Sequence, residues 1–225
     1  MSPAKFDEYS TNYTQLVDQS VSISGEAAEY FSEYKARYLA RLAGRDFAGR
    51  VLDYGCGVGV LSRFIKTHLP YASVDGFDVA SGSIEKVLPE LKKQGCFSSD
   101  LAGLRRDYQL AVIANVLHHV VPRDRQAVMA EIAGRLASRG RVVVFEHNPL
   151  NPLTQWSVKH CRFDDDAILL HPGEASRYLA GAGLKKVRRD YVVFFPKFLA
   201  WLRPAEPMLA WLPAGAQYAL LGEKL

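Results

Sequence analysis

The chain has 225 residues, of which 48% are hydrophobic and 23% charged, and a formal net charge of +4. This size and composition predict one globular domain and exclude two full-sized cores, while the scattered basic residues argue against nucleic acid as a partner. The three cysteines are isolated, which excludes a disulfide framework and a cysteine-ligated metal. The sequence shows neither a basic and apolar leader nor an apolar run long enough to span a membrane. These features predict a cytoplasmic location.

The first predicted element is an amphipathic helix that runs from Ser24 to Gly44. Apolar side chains recur there at helical spacing: Ala27, Tyr30, Phe31, Tyr34, Tyr38 and Leu42. Ser24 is placed to cap the start of this helix, and Gly44 is placed to end it. The pattern therefore predicts one helix with an apolar face ahead of the first strand.

Short apolar runs and helical patterns alternate after this helix. Strands are predicted at 50–54, 73–78, 109–115 and 141–146, and helices between them at 60–69, 83–94 and 123–136. Because parallel strands need helical crossovers, the alternation predicts a doubly wound α/β sheet with helices on both faces. Ligands in such folds bind beyond the carboxyl ends of the strands.

The last third of the chain has a different character. A helix predicted at 174–182 ends at Gly183, and strands are predicted at 187–195 and 216–222. The stretch between these two strands is broken by four prolines and predicts no long helix: Pro196, Pro204, Pro207 and Pro213.

A glycine loop joins the first strand to the next helix in the run Val51-Leu52-Asp53-Tyr54-Gly55-Cys56-Gly57-Val58-Gly59-Val60-Leu61. Glycines permit a tight turn and the close approach of a ligand, and the helix start adds unpaired N–H donors. A dinucleotide site needs its third glycine one residue later, where Val60 stands. Asp53 suits a pyrophosphate poorly, but it suits a ligand with an amino group and a sulfonium charge.

Two further acidic positions follow the glycine loop. Asp78 ends the second strand at the separation expected of a carboxylate that accepts both hydroxyls of a ribose, with helix capping as the alternative. Ser99 and Asp100 follow the short run at 96–98, where a carboxylate would suit the exocyclic amine of adenine. A local turn former is the alternative for Asp100.

These residues together resemble one enzyme family. The pattern Asp53-x-Gly55-x-Gly57-x-Gly59, then Asp78, Asp100 and Leu117-His118-His119-Val120, is similar to class I S-adenosylmethionine-dependent methyltransferases, in particular bacterial members that act on small molecules. The resemblance implies a Rossmann-like seven-stranded sheet with a reversed last strand, at the position of 216–222. One departure is Ala137-Ser138-Arg139-Gly140, where many relatives have a Lys-Pro-Gly-Gly turn of structural importance.

S-adenosylmethionine is the cofactor that the resemblance implies, with S-adenosylhomocysteine as the product. The residues implied to bind it are Tyr13, Asp53, Gly55, Cys56, Gly57, Gly59, Asp78, Val79, Ser99, Asp100, Asn115 and His118. For Tyr13, a cation–π contact with the sulfonium and plain packing beneath the first helix are both open. The single domain at 1–225 is then divided into an N-terminal lid at 1–45, a cofactor-binding core at 46–150 and an acceptor-side part at 151–225.

His119 and His147 are the candidate general bases, because both follow strands at the ligand-binding edge of the sheet. Orienting a loop through hydrogen bonds is the open alternative for each of them. The run Asp164-Asp165-Asp166 lies near His160, but such a run is typical of a solvated helix start, so no metal site is predicted.

The predicted function is methyl transfer to oxygen or nitrogen of a small-molecule acceptor, either a secondary metabolite or a biosynthetic intermediate. The apolar run 194–202 favours a partly hydrophobic acceptor, although a lid or a homodimer contact explains that run equally well. The alternatives are a methyltransferase of nucleic acid or protein, and a non-catalytic nucleotide-binding protein. Asn115-Val116-Leu117-His118 disfavours nucleic acid, because base-modifying enzymes have Asn-Pro-Pro-Tyr there.

Overall fold

The computed structural model describes residues 25–161 and 164–225. Within these residues the chain forms one seven-stranded sheet in the order β3-β2-β1-β4-β5-β7-β6. The strands are β1 (Arg50–Tyr54), β2 (Ser73–Phe77), β3 (Phe97–Ser98), β4 (Tyr108–Ala114), β5 (Leu136–His147), β6 (Leu184–Val192) and β7 (Gln217–Lys224). All neighbouring strands are parallel except that β7 runs antiparallel to both β5 and β6. The expected doubly wound sheet with a reversed last strand is confirmed.

Helices connect the strands and cover both faces of the sheet. The α-helices are α1 (Ala28–Ala43), α2 (Val60–His68), α3 (Ser81–Glu85), α4 (Pro89–Gln94), α5 (Arg125–Arg135), α6 (Pro152–Lys159) and α7 (Pro172–Gly181). Short 3-10 turns occur at Leu101–Gly103, Leu117–His119 and Pro122–Asp124, and a longer 3-10 segment spans Lys197–Leu209. Among the helices of the described ranges, none combines the length and apolar character needed to cross a bilayer.

The core is split by the sheet into two apolar layers, because successive side chains of a strand point to opposite faces. Val51 of β1 faces the layer formed with α1 and α2, where Leu39 and Ile65 are completely buried. Leu52, its neighbour, faces the layer formed with α5 and α7, which includes Met129. Strands covered on both faces read as continuous apolar runs, and for this reason β1 has the bounds predicted from the sequence.

Several elements differ from the sequence prediction for identifiable reasons. The helix predicted at 83–94 is broken into α3 and α4, because Pro89 lacks an N–H and can only begin a helix. Gly44 ends α1 as predicted, with a φ of 89° and its N–H bonded to the Ala40 carbonyl. The Ser24 cap predicted for this helix lies outside the described residues.

The last third departs furthest from the prediction. The strand predicted at 187–195 runs instead from Leu184 to Val192, and ends where Val193 adopts a φ of 62°. Helix α6 was not expected, although Asn151 caps it through its side-chain oxygen and Pro152 occupies its first turn. The proline-rich stretch contains no long α-helix, as predicted, but it coils as the 3-10 segment with Pro204 and Pro207 inside it.

Candidate active site

The glycine loop lies at the carboxyl end of β1, beside the end of β2. The N–H groups of Gly55 and Cys56 both donate to the Phe77 carbonyl, at 2.7 and 2.9 Å. Gly55 has a φ of 80°, and a Cβ there would lie 2.3 Å from a methyl carbon of Val116. At Gly57 the φ is 54° and a Cβ would meet open space. The loop is therefore packed on one side and open towards a ligand on the other.

Asp78 fixes the geometry of this loop. Its Oδ2 accepts a hydrogen bond from the Gly57 N–H at 2.8 Å, and its Oδ1 accepts one from the Ala80 N–H at 2.9 Å. Carboxylate oxygens are also the acceptors that ribose hydroxyls need. The position is compatible with the ribose role predicted for Asp78, which stays a prediction.

Two cavities meet at the glycine loop. The first, which we call the valine cavity, has a volume of about 280 Å³ and is lined by Phe77, Asp78, Val79, Val116, Val120 and Val121 among others. The second, the histidine cavity, has a volume of about 150 Å³ and is lined by Lys35, Asp53, Cys56, His118, His147 and Asp164 among others. Both linings share six residues: Gly55, Gly57, Val58, Ala114, Asn115 and His119. One elongated ligand that crosses the loop would therefore touch both cavities.

Glu146 organises the histidine cavity from the end of β5. Its side chain is fully buried, and its Oε1 accepts hydrogen bonds from the N–H groups of Leu117 and Val116 at 2.7 and 3.2 Å. Its Oε2 lies 2.5 Å from Nδ1 of His118. This contact fixes the ring of His118 and directs the opposite nitrogen, Nε2, towards Asp164 Oδ1 at 3.5 Å.

The three histidines of this cavity differ in charge. Burial lowers the pKa of His118, but the carboxylates of Glu146 and Asp164 outweigh burial and raise that pKa to about 9. Burial and the positive charge of His118 lower the pKa of His147 to about 4 and the pKa of His119 to about 3. At neutral pH, one charged imidazole therefore lies between two carboxylates and beside two neutral imidazoles.

Asn115 lies at the end of β4, where it lines both cavities and contacts His147. Its backbone has a φ of 59°, and its N–H donates to the Phe145 carbonyl at 2.8 Å. Its side-chain nitrogen lies 2.9 Å from Nε2 of His147. Asn is one of the few residues that tolerates this left-handed conformation, so the residue type suits both its backbone and its contact.

Asp53 is buried beneath the glycine loop. Its Oδ2 accepts a hydrogen bond from the Ser62 hydroxyl at 2.7 Å. Burial raises the pKa of Asp53 to about 7, against the opposing effect of the Ser62 hydrogen bond. Asp53 lines the histidine cavity, where the sequence analysis expects the charged end of the ligand.

Lys35 is a site residue that the sequence analysis missed. It is 7% exposed on α1, lines the histidine cavity, and has a pKa that burial lowers to about 8 against the opposing charges of Glu146 and Asp53. A signal was present, since Lys35 follows Phe31 by four residues and precedes Tyr38 by three. A lysine at an apolar position of an amphipathic helix indicates a buried charge with a specific partner.

Asp164 is the exception to the prediction that 164–166 is a solvated run, since Asp165 and Asp166 are exposed. Its side chain is only 11% exposed and lies 3.4 Å from Nε2 of His119 and 3.5 Å from Nε2 of His118. The Ile168 N–H, which donates to the His118 carbonyl at 2.8 Å, fixes the loop in this position. His160 points elsewhere and stacks on Trp156 at a centroid distance of 4.3 Å.

The remaining predicted cofactor residues are less informative. Ser99 and Asp100 are exposed, and Asp100 accepts a hydrogen bond from the Ala102 N–H at 2.8 Å, the contact expected of a turn former; its adenine role stays a prediction. Neither is among the described residues that line the two cavities. Gly59 directly precedes α2 and has a φ of 83°. Tyr13 lies outside the described residues, so the contacts predicted for it stay predictions.

Comparison with known proteins gives consistent matches. A family model for a methyltransferase domain matches residues 27–188. A S-adenosylmethionine-dependent methyltransferase from Archaeoglobus fulgidus superposes with a TM-score of 0.67 at 16% identity, over 88% of this chain and 95% of that one. Magnesium protoporphyrin IX methyltransferase from Synechocystis, solved with bound S-adenosylhomocysteine, gives a TM-score of 0.63 at 17% identity, over 93% and 87% of the two chains.

Curated relatives match over a shorter region. The ribosomal RNA small subunit methyltransferase C of Aliivibrio salmonicida is 27% identical over 124 residues, which are 50% of this chain and 36% of that protein. A Synechococcus protein is 27% identical over 105 residues, which are 43% of this chain and 25% of that protein. The matches therefore span about a third or less of these relatives.

Proposed function

Because this chain belongs to the methyltransferase family, we propose that it binds S-adenosylmethionine at the glycine loop and methylates an oxygen or nitrogen atom of a small molecule. The family match covers more than half of the chain, and the fold is that of S-adenosylmethionine-dependent methyltransferases. The observation that carries the proposal is the meeting of the two cavities at the loop.

The two cavities suit the two ends of the donor. The valine cavity offers apolar walls for adenine and the Asp78 carboxylate for ribose hydroxyls. The histidine cavity is lined by Asp53 and Asp164, whose carboxylates favour the amino group and the sulfonium. In this pose the methyl group enters the histidine cavity, where the acceptor would meet it.

The reaction is an in-line displacement at the methyl carbon. A lone pair of the acceptor forms the new bond to carbon while the carbon–sulfur bond breaks, and its electron pair stays on sulfur as S-adenosylhomocysteine forms. The acceptor proton leaves to a base or to water. Alignment of the two reactants contributes about 7–11 kcal/mol to such a reaction, whereas a general base contributes about 10²- to 10⁴-fold.

His119 is the better placed of the two candidate bases. It lines both cavities and therefore lies where donor and acceptor meet, whereas His147 lines only the histidine cavity. Because the pKa of His119 lies well below neutral pH, we expect His119→Ala to lower turnover by about 10²-fold, the lower end of general-base catalysis, and to leave the affinity for S-adenosylmethionine unchanged. His160→Ala, at an exposed histidine, is the control; equal turnover in the two variants contradicts the assignment.

The whole chain at 1–225 is proposed to act as one domain. Residues of the lid part, such as Phe31 and Lys35, and residues of the acceptor-side part, such as Val158 and Asp164, line the same histidine cavity. The acceptor would therefore be enclosed by the segments that precede and follow the cofactor-binding core. A partly hydrophobic acceptor and a cytoplasmic location belong to the same proposal.

Methylation of RNA is the second candidate, favoured by the match to the Aliivibrio enzyme. The two are separated by supplying S-adenosylmethionine with a labelled methyl group, together with an extract divided into RNA, protein and small-molecule fractions. We expect label in the small-molecule fraction. Label confined to RNA or protein would overturn the proposal of a small-molecule acceptor. A calorimetric titration that shows no binding of S-adenosylmethionine would overturn the proposal that it is the donor.

A further inference from the structure

Three side chains of the histidine cavity converge on one point. His118, His147 and Asp164 each offer one ligand atom, and the three atoms lie within 4.8 Å of one another. Ligand atoms with bonds of about 2.0–2.2 Å to one metal ion lie roughly 3–3.5 Å apart. The pair His118 Nε2 and Asp164 Oδ1, at 3.5 Å, already has this separation. We propose that these three residues bind a divalent transition-metal ion, which holds the oxygen atom of the acceptor.

The orientation of His118 supports a metal site. A histidine that binds a metal through one nitrogen usually has its other nitrogen held by a carboxylate, which fixes the ring. Glu146 Oε2 contacts Nδ1 of His118 at 2.5 Å, and two backbone N–H groups fix Glu146 in turn. His118 Nε2 is thus aimed at Asp164 before any ion binds, and a metal ion bound to this nitrogen releases its proton to solvent.

The third ligand comes from a separate segment that is also fixed. Asp164 precedes Ile168, whose N–H donates to the His118 carbonyl at 2.8 Å. The Ile168 carbonyl accepts a hydrogen bond from Nη2 of Arg125 at 2.6 Å. The three ligands therefore come from the turn after β4, the end of β5 and the loop after α6. His147 is positioned by the pairing of β5 with β7, where it lies opposite Gln217.

The donor set selects the kind of metal. Two imidazoles and one carboxylate suit Zn²⁺, Fe²⁺, Mn²⁺ or Co²⁺, whereas Mg²⁺ and Ca²⁺ prefer oxygen ligands throughout. Three protein ligands leave coordination positions open, as in catalytic sites. These open positions face the histidine cavity, since all three ligands line it.

A metal ion at this position indicates which class of acceptor is methylated, an inference that rests on the proposed function. An ion that binds a hydroxyl oxygen lowers the pKa of that hydroxyl and fixes its position. The hydroxyl proton then leaves to a base or water, the oxygen bonds to the methyl carbon, and the carbon–sulfur pair stays on sulfur. The acceptor is accordingly a hydroxyl-bearing molecule, and oxygen is methylated.

Titration with Co²⁺ tests the site without any need for the acceptor. Protein freed of metal by a chelator is titrated with Co²⁺, and the visible absorption of the bound ion and calorimetry are recorded. We expect one ion per chain in the wild type. Asp164→Asn and His147→Gln should each weaken binding about 10- to 100-fold or more. The control is Asp165→Asn, which removes the adjacent, exposed carboxylate and should bind Co²⁺ as the wild type does.

Each outcome separates the metal site from the donor site. Thermal melts establish that the variants are folded, and two ligand variants keep the test valid if one of them is not. Absence of Co²⁺ binding by the wild type, or equal binding by Asp164→Asn and Asp165→Asn, would overturn the metal site. Titration of S-adenosylmethionine into the same metal-free samples measures binding at the donor site independently. If S-adenosylmethionine does not bind, the proposed function is overturned and the result on the metal site still stands.

Discussion

Asp53 shows how one buried carboxyl couples the site to folding. In the unfolded chain an aspartate ionises near about pH 4, whereas burial raises the pKa of Asp53 to about 7 in the fold. Between these two values the folded protein holds a proton that the unfolded chain has released. The stability contributed by Asp53 therefore falls as the pH rises from about 4 to about 7.

Asp53→Asn should remove this dependence, since an amide keeps an oxygen for the Ser62 hydroxyl and carries no charge. From pH 5 to pH 7 we expect the free energy of unfolding of the wild type to fall by about 2–3 kcal/mol relative to the variant. Urea denaturation at several pH values measures the difference. Parallel curves for the two proteins would contradict the raised pKa.

Asp78 is the residue whose loss should affect the donor most directly. A hydrogen bond to a charged group contributes about 1.5–3 kcal/mol, so Asp78→Ala should weaken S-adenosylmethionine binding about 10- to 150-fold. Asp46→Ala is the control, because Asp46 is exposed and precedes β1 at the opposite edge of the sheet. Calorimetry that gave the same affinity for both variants would disprove the ribose role.

The sequence predicts the glycine loop and Asp78 because their geometry is local. The loop, β1 and β2 lie within one β-α-β unit, whose spacing alone brings Asp78 within hydrogen-bond distance of Gly57. Asp164 contacts His118 from 46 residues further along the chain. Such a contact depends on how a separate loop packs, so no spacing rule predicts it.

Among the elements, α5 contributes the residue that ties the acceptor side together. Arg125 is 1% exposed and donates to the Val120 and Ile168 carbonyls at 2.9 and 2.6 Å. Its third contact, at 3.1 Å, is with Glu174 of α7. One side chain thus connects α5, the turn after His119, the loop that carries Asp164, and α7.

Arg125→Ala should lower the free energy of unfolding by about 3 kcal/mol, since it leaves two carbonyls and a carboxylate without their donor. Arg123→Ala removes a neighbouring arginine that is 86% exposed and should change stability by less than about 0.5 kcal/mol. Chemical denaturation compares the two. A similar small loss in both variants would show that Arg125 does not hold these elements together.

The sequence predicts the bounds of a strand well where both faces of the strand are buried. It predicts them poorly where pairing with a neighbouring strand determines the bounds. β1 is covered on both faces, and its apolar run gives its bounds directly. β5 extends five residues before the predicted 141, back to Leu136, because Leu136 pairs with Tyr108 across an irregular register in β4. The residues Ser138, Arg139 and Gly140 have no strand pattern of their own, so only the neighbouring strand reveals the extension.

At the scale of the molecule, ligand binding should be visible as stability. A ligand at about 100 times its Kd that binds only the folded state adds about 2.7 kcal/mol. For a chain of this length that corresponds to a rise in Tm of roughly 5–10 °C. We expect S-adenosylmethionine and S-adenosylhomocysteine to raise the Tm and NAD⁺ to leave it unchanged. A larger rise with NAD⁺ would favour a dinucleotide-binding protein.

The interior place of β7 has a consequence for biosynthesis. β7 follows every other strand in sequence, yet it lies between β5 and β6 and pairs with both of them. While the ribosome is still translating residues 217–224, β5 presents an open edge and β6 is separated from the sheet. A premature stop codon ahead of position 217 would therefore release a chain with an exposed apolar edge, a state prone to aggregation and proteolysis.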